Sequence, residues 1–364
     1  MTLFHAERNE GLRLYVFSWV PLVLMATLLA ACLVLSKFSI RIDSLTHRAV
    51  LTGPLLTIAG LGLVSGRRIW GWRFGFVMLA IAQFSFLGSF AGPLSYIAAA
   101  ADFPLQDSNF ARLDRLLGLD WPAHYRFVMA RPGLLPYAYL SYAAILVPCL
   151  GVPLVLGLMG RFVRLQQFVM ATILTTAVDV AVSSALPAIG TYGEFALPAQ
   201  VGDFKATGYL VQLEILPVLR AGGLRVLDLA DLGGIITFPS LHAAASILAI
   251  WGFWSVWWLR PAALMVYVGM LLATPLMGGH YFVDIIAGIG VAVLAIAAAK
   301  RLSPSIPEAA RVAPENSRSL ACQQGRTAMP LPLLRAGPRD ARRRRVIWGL
   351  SLAKEAKLTP HSKP

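Results

Sequence analysis

Apolar runs near twenty residues long recur along the chain, and the short stretches between them hold most of the charge. Eight runs stand out, at about 14–35, 49–66, 74–100, 134–159, 165–187, 238–259, 262–279 and 281–299. Each is read as a helical span. About 20 apolar residues cover a hydrocarbon core of ~30 Å, where backbone polar groups must be satisfied within the segment. The second run is short and contains Gly53 and Pro54; the third is overlong and carries "AGP" from Ala91, which predicts a kink or an end there. The first run lacks a small-residue cleavage site and is longer than a signal core, so it reads as a retained span.

Two stretches between the runs are predicted to carry structure. In "DFPLQDSNFARLDRLLGLDWPAHYRF", Leu113, Leu116 and Leu117 recur at helical spacing among Arg and Asp, which predicts a short amphipathic helix at the membrane interface. The stretch 188–237 is a glycine-rich loop of a length that usually signals function. No internal repeat is visible.

Composition narrows the class. The chain has 364 residues, 57% hydrophobic and 14% charged, with a mean hydropathy of +0.67. Soluble domains carry about a quarter charged residues, so soluble classes are excluded and an all-α integral membrane protein is expected. Cys32, Cys149 and Cys322 are too scattered for a disulfide framework or a metal site. Basic residues at Arg8, Arg13, Arg67, Arg68, Arg73, Arg161, Arg164 and Arg260 mark one side of the membrane. Loop 188–237 is net acidic, whereas the first loop, with Lys37, Arg41 and Arg48, breaks the pattern. Both termini are therefore expected to be cytoplasmic, with loop 188–237 outside. The tail 300–364 holds fourteen Lys or Arg against four acids. Rich in Pro and Arg, it reads as disordered and attracted to anionic membrane lipids; "ARRRRV" has no accompanying fold to make it a nucleic-acid site.

The candidate chemistry sits at the rims of neighbouring spans. "ITFPSLHAAASILAIWGFW" places His242 at the mouth of one, and "GGHYFVD" places His280 and Asp284 at the mouth of another, 38 residues later. From His242 a helix runs inward about eighteen residues, or about 27 Å, turns at Arg260-Pro261 and returns over a similar length. The two imidazoles are thereby expected at one depth. If the last span begins near Gly279, His280 and Asp284 share a helix face, and the carboxylate can hold one ring nitrogen while the other stays free. Pro239 fits a first helical turn, leaving the N–H groups of Ser240, Leu241 and His242 open to an anion. Gly233-Gly234 and Gly278-Gly279 allow close backbone approach. A nucleophilic His, an orienting Asp and a second His as general acid suit phosphoryl transfer through a phosphohistidine. No carboxylate cluster suggests a metal, and no cofactor is expected.

These residues also carry a resemblance. "FPSLHAA" and "GGHYFVDIIAG" resemble the second and third signature motifs of the type 2 phosphatidic acid phosphatase superfamily, and look most like its inositol phosphorylceramide synthase branch. The resemblance implies a six-helix phosphatase-type bundle over residues 74–299, preceded by two extra N-terminal spans in 1–73. It implies His280 as nucleophile, Asp284 as its partner, His242 as the acid that protonates the leaving group, and a lipid-phosphate substrate. Three departures stand out. The second motif reads "SLH" where the phosphatases have Ser-Gly-His; Thr274 stands where they carry an arginine; and their Lys-x6-Arg-Pro motif survives only as "HYRFVMARP", with His124 in the lysine position and Arg131-Pro132 at the end. The synthase branch also lacks the third-motif arginine, which favours a phosphotransferase of the inositolphosphotransferase type. Ser240, Gly279 and Arg131 are the candidate substrate-binding residues, with Arg126, Arg220 and Arg225 as further cations.

Other features read more plainly. Tyr281 is expected to be an interfacial aromatic, and Trp251, Trp254, Trp257 and Trp258 an aromatic belt. Asp179 lies inside a span, where an acid is costly, and is expected to line the substrate pocket or pair with Thr175. The chain is expected in a bacterial inner membrane with its site facing the periplasm. The alternatives are a polyprenyl or phosphatidate phosphatase, or, in another class, a transporter or scaffold. The last fits poorly, because transporter sites lie near the midplane between repeats.

Overall fold

The computed structural model describes residues 2–41, 44–229 and 231–302, with the side chains of 2, 3 and 44–50 excepted. The basic tail beyond 302 lies outside the described residues. Thirteen α-helices are described: α1 (Thr2–Ser36), α2 (Ser44–Ser65), α3 (Ile69–Ala99), α4 (Asp107–Leu116), α5 (Trp121–Met129), α6 (Leu135–Ala143), α7 (Val147–Leu158), α8 (Phe162–Ala185), α9 (Thr191–Glu194), α10 (Thr207–Arg220), α11 (Leu241–Phe253), α12 (Arg260–Met277) and α13 (Phe282–Leu302). Four strands of two or three residues join them: β1 (Ser39–Arg41), β2 (Gln200–Val201), β3 (Phe204–Lys205) and β4 (Val226–Asp228).

Among the described residues, six helical segments are long and apolar enough to cross a membrane: Phe4–Ser36, Ile69–Ala99, Pro132–Leu158, Phe162–Ala185, Trp257–Met277 and Phe282–Leu302. The chain is a multi-pass helical membrane protein. Of the remaining two apolar runs, one forms α2 and the other the shorter helix α11. At 13 residues, α11 spans only about 20 Å. It gives way at Trp254, and a 3-10 turn at Trp257–Leu259 leads into α12. Two further expectations need correction. Helix α3 runs unbroken through Gly92-Pro93 to Ala99. The fourth run, expected as one span, is divided by a 3-10 turn at Ala144–Leu146, just before Pro148 and Pro153, whose missing N–H groups weaken a continuous helix there.

Helix α8 is the spine. It packs against α1, α3, α7, α11 and α13, and Phe162, Leu165, Phe168, Val169 and Ile173 along it are fully or almost fully buried. Helix α2 lies along α3. Their closest approach is at two glycines: a Cβ on Gly75 would stand 2.9 Å from the carbonyl oxygen of Gly60. Strand β1 pairs in parallel with β4, in the register Ser39 with Val226, so the first loop is tied to the long loop 188–237.

That long loop is not featureless. With α4 and α5 it builds a cap over the ends of α12 and α13. Trp121, Tyr125, Tyr192, Phe204 and Tyr209 form its apolar centre, together with Leu276 and Met277 of α12. The cap also satisfies the carbonyls that a helix C-terminus leaves unpaired. Trp121 Nε1 donates to Pro275 O at 3.2 Å and the Tyr192 hydroxyl to Leu276 O at 2.7 Å.

Candidate active site

The turn between α12 and α13 carries His280. It opens at Gly278 and passes through Gly279, whose φ of +64° is in the left-handed region. The carbonyl of Gly279 accepts the Thr191 N–H at 2.8 Å. A Cβ on Gly279 would stand 2.6 Å from the Tyr209 ring, and one on Gly190 would stand 2.5 Å from Gly279 O. The two glycines allow the cap to close directly onto the turn that carries His280.

His280 lies before α13 rather than within it, because the helix begins at Phe282. The expected shared helix face is therefore not the reason that His280 and Asp284 meet. Asp284, in the first turn, directs its carboxylate back over the helix start. Its Oδ2 accepts the Tyr281 N–H at 2.9 Å and lies 3.3 Å from His280 Nδ1. His280 is 3% exposed and Asp284 is fully buried. A carboxylate can only accept, so Nδ1 carries the hydrogen and Nε2 keeps its lone pair. Nε2 makes no hydrogen bond among the described residues. At 3.3 Å the contact is long for a bond to a carboxylate; catalytic hydrogen bonds commonly tighten when charge develops on the ring.

His242 is in the first turn of α11. Ser240, fully buried, caps that helix: its Oγ accepts the Ala243 N–H at 3.4 Å. Its own N–H is not open to an anion as expected, because it donates to Asp284 O at 3.0 Å. Pro239 precedes the cap, outside the first turn, and follows a cis Phe238–Pro239 bond. Leu241 and His242 keep free N–H groups at the helix start among the described residues. Helices α11 and α13 approach closely at Gly288, where any side chain would strike Ser240 O.

Tyr142 of α6 joins the two histidines. Its ring stacks on the His242 imidazole with centroids 3.9 Å apart and planes at 5°. A Cβ on Gly278 would lie 2.8 Å from His280 Nε2 and 3.0 Å from the Tyr142 hydroxyl. One small volume is thus bordered by the His280 imidazole and a phenol whose ring stacks on the second imidazole.

A second layer, absent from the sequence reading, comes from α4. Asp114 accepts the N–H groups of Phe282 and Val283, each at 2.8 Å, and so caps α13 from another helix. Burial pushes its pKa up, and the two N–H bonds oppose that rise. Asp107 accepts the N–H of Gly190 at 2.7 Å and of Ile189 at 3.0 Å, and the Tyr281 hydroxyl at 3.0 Å. Tyr281 is therefore no interfacial aromatic; it is fully buried against Phe110. The predicted amphipathic helix exists, with its leucines outward and a second face packed on the bundle. Leu113, Leu116 and Leu117 are 43%, 72% and 57% exposed, whereas Phe110, Ala111 and Asp114 are buried.

The expected cations are placed elsewhere. Arg131 is exposed, its guanidinium 3.8 Å over the Phe127 ring and bonded to Phe127 O. Arg126 is exposed. Arg220 pairs with Asp102 at 2.6 Å, and Arg225 lies over Phe38. His124 packs edge-on against Phe282, with Nε2 buried and unpartnered. Burial lowers its pKa, which disfavours a charge in the position of the family's lysine. Thr274 bonds to Met270 O of its own helix. Asp179 and Thr175 do not pair: both are fully buried in α8 and neither side chain has a hydrogen-bond partner. Trp254, Trp257 and Trp258 are exposed, as a belt requires, while Trp251 stacks with Arg164.

No curated protein and no solved structure matches the chain. A family profile described as the PAP2 superfamily matches residues 108–298, which runs from α4 nearly to the end of α13 and includes Tyr142, His242, His280 and Asp284. With more than half of its length matched, the chain belongs to the PAP2 superfamily of phosphatase- and phosphotransferase-type enzymes that act on lipid phosphates.

Proposed function

We propose that this protein is an inositolphosphotransferase-like lipid phosphotransferase that works through a phosphohistidine on His280. The single observation that carries the reading is the state of His280: Nδ1 faces Asp284, while Nε2 is unbonded on the side of Tyr142, whose ring stacks on His242. The Nε2 lone pair attacks phosphorus, and the bond from phosphorus to the leaving alcohol breaks with its electrons on oxygen. His242 protonates that oxygen. An acceptor hydroxyl then gives its proton to His242 and attacks phosphorus, which cleaves the P–N bond and restores His280. Asp284 holds the ring and stabilises the positive charge that develops on it.

In this reading the chain crosses the membrane eight times, with α2 and α11 as the two further spans. Both termini are cytoplasmic, and the site faces the periplasm of a bacterial inner membrane. Ser240 and Gly279 shape the walls of the phosphate site, and Arg131 attracts headgroups at its rim. Thr274, in place of the phosphatases' arginine, favours the transferase over a phosphatidate or polyprenyl phosphatase.

The test is a product assay. Purified protein is incubated with labelled membrane lipids, with and without ceramide or diacylglycerol. A new labelled phosphodiester lipid that depends on the acceptor supports the transferase. Release of inorganic phosphate alone assigns the phosphatase reading, and no turnover of any lipid phosphate contradicts both.

A further inference from the structure

The proposed reaction leaves the phosphoryl oxygens without an evident partner. In phosphoryl transfer their charge spreads over three equatorial positions, and donors fixed there supply much of the rate. The arginine and lysine positions hold Thr274 and a His124 whose Nε2 is buried without a partner, and the four candidate arginines are exposed or bound elsewhere.

Tyr142 occupies the place where such a donor is needed. Its hydroxyl and His280 Nε2 lie within 3.0 Å and 2.8 Å of one point, the position of a Cβ on Gly278. A phosphorus in near-attack contact with Nε2 stands about 3–3.5 Å from that nitrogen, so its oxygens fall within reach of the phenol. The hydroxyl makes no hydrogen bond among the described residues, although a phenol in such surroundings ordinarily finds one. It is held in place from three sides. The ring is stacked on His242. Helix α6 is locked to α12 by the Tyr137 hydroxyl, which donates to Met265 O. Gly208, in the first turn of α10, brings that helix so close to the hydroxyl that any side chain there would collide with it.

We propose that Tyr142 is a catalytic residue of this enzyme: its phenol donates a hydrogen bond to a non-bridging oxygen of the transferring phosphoryl group, as a neutral replacement for the missing cations. The proposal rests on the His280 reading above. It predicts a site that selects a phosphoryl group by hydrogen bonding more than by charge.

The experiment uses orthovanadate, which takes up the geometry of a transferring phosphoryl group, on the full chain purified in detergent, with binding read by vanadium-51 resonance. Wild type binds vanadate. Tyr142→Phe keeps the stack on His242 and the thermal midpoint, and binds about ten- to hundredfold more weakly, the range for loss of a hydrogen bond to a charged group. His280→Ala abolishes binding. Replacement of Tyr142 by 3,5-difluorotyrosine makes the phenol more acidic; binding should then fall away at lower pH than in wild type, because a phenolate repels the anion. A purely structural tyrosine would not move that profile, and the fluorinated protein decides the matter if Tyr142→Phe misfolds. Equal vanadate binding by wild type and Tyr142→Phe, or an unmoved pH profile, overturns the role of Tyr142 and leaves His280 untouched. No binding by wild type, or undiminished binding by His280→Ala, overturns the His280 reading and this proposal with it.

Discussion

The carboxylate of Asp114 accepts the Val283 N–H at 2.8 Å, across 169 residues of sequence. With the matching bond from Phe282 N, also at 2.8 Å, it caps the helix whose first turn holds Asp284. An interfacial helix outside the spans thereby fixes the start of α13, and the turn with His280 hangs from that start. Asp107, about two turns back on the same face of α4, holds the same turn through Tyr281 and the opposing loop through Gly190.

Asp114→Ala should leave two N–H groups at the start of α13 without their acceptor. Loss of such a cap costs about 1–2 kcal/mol. We expect a lower thermal midpoint in detergent and a loss of turnover of roughly tenfold, as the His280 turn loosens. Wild-type melting and turnover in this variant would remove α4 from the catalytic apparatus.

The raised pKa of Asp114 gives a pH dependence with a definite sign. The folded state binds a proton at Asp114 more readily than the unfolded state does, whose carboxylate titrates near about 4. Its contribution is therefore complete below that pH and is lost as pH rises through the folded pKa. Asp114→Asn removes this titration. Whatever the offset between the two proteins, the stability of wild type relative to Asp114→Asn should decline as pH rises through that window. Parallel stability profiles would contradict the burial of a charged Asp114.

Gly278→Ala places a methyl 2.8 Å from His280 Nε2, inside the contact distance that nitrogen needs for an incoming phosphorus. Helix α12 ends before this residue, so membrane insertion should persist. Turnover should fall by about a hundredfold or more, in line with the cost of a 1 Å misplacement at a reacting centre. Near-wild-type turnover would show that the reacting volume lies elsewhere.

His242→Ala should lower kcat by about 10²–10⁴-fold, the usual contribution of a positioned general acid. The loss should shrink for lipids whose leaving alcohol is more acidic, since such a group needs less protonation. A uniform loss across leaving groups would assign His242 to binding instead.

The multi-pass helical class was legible because apolar composition alone decides it, and the contact of His280 with Asp284 because only four residues separate them. Where each helix breaks was less legible: Pro93 is absorbed within α3, while Ala144–Leu146 interrupts the next apolar run. The inner face of α4 was the least legible part. Its leucines face outward, while the partners of the inner face, Phe282 for Asp114 and Tyr281 for Asp107, come from more than 160 residues away. One local signal was present. Asp107, Phe110, Ala111 and Asp114 follow the i, i+3, i+4, i+7 pattern of a buried face. Two aspartates on that face were polar groups awaiting partners. Tyr142 left no signal, since nothing near it in sequence indicates that His242 stacks on its ring.

The most direct measurement is a rapid-quench trap of the covalent intermediate. Purified protein is mixed with phosphorus-32-labelled lipid phosphates, stopped in alkali, and digested. The expected result is an alkali-stable, acid-labile label on the peptide that contains His280, absent in His280→Ala and accumulating in His242→Ala when the leaving alcohol is already acidic. Turnover without any label on that peptide, or label retained in His280→Ala, would contradict His280 as the nucleophile.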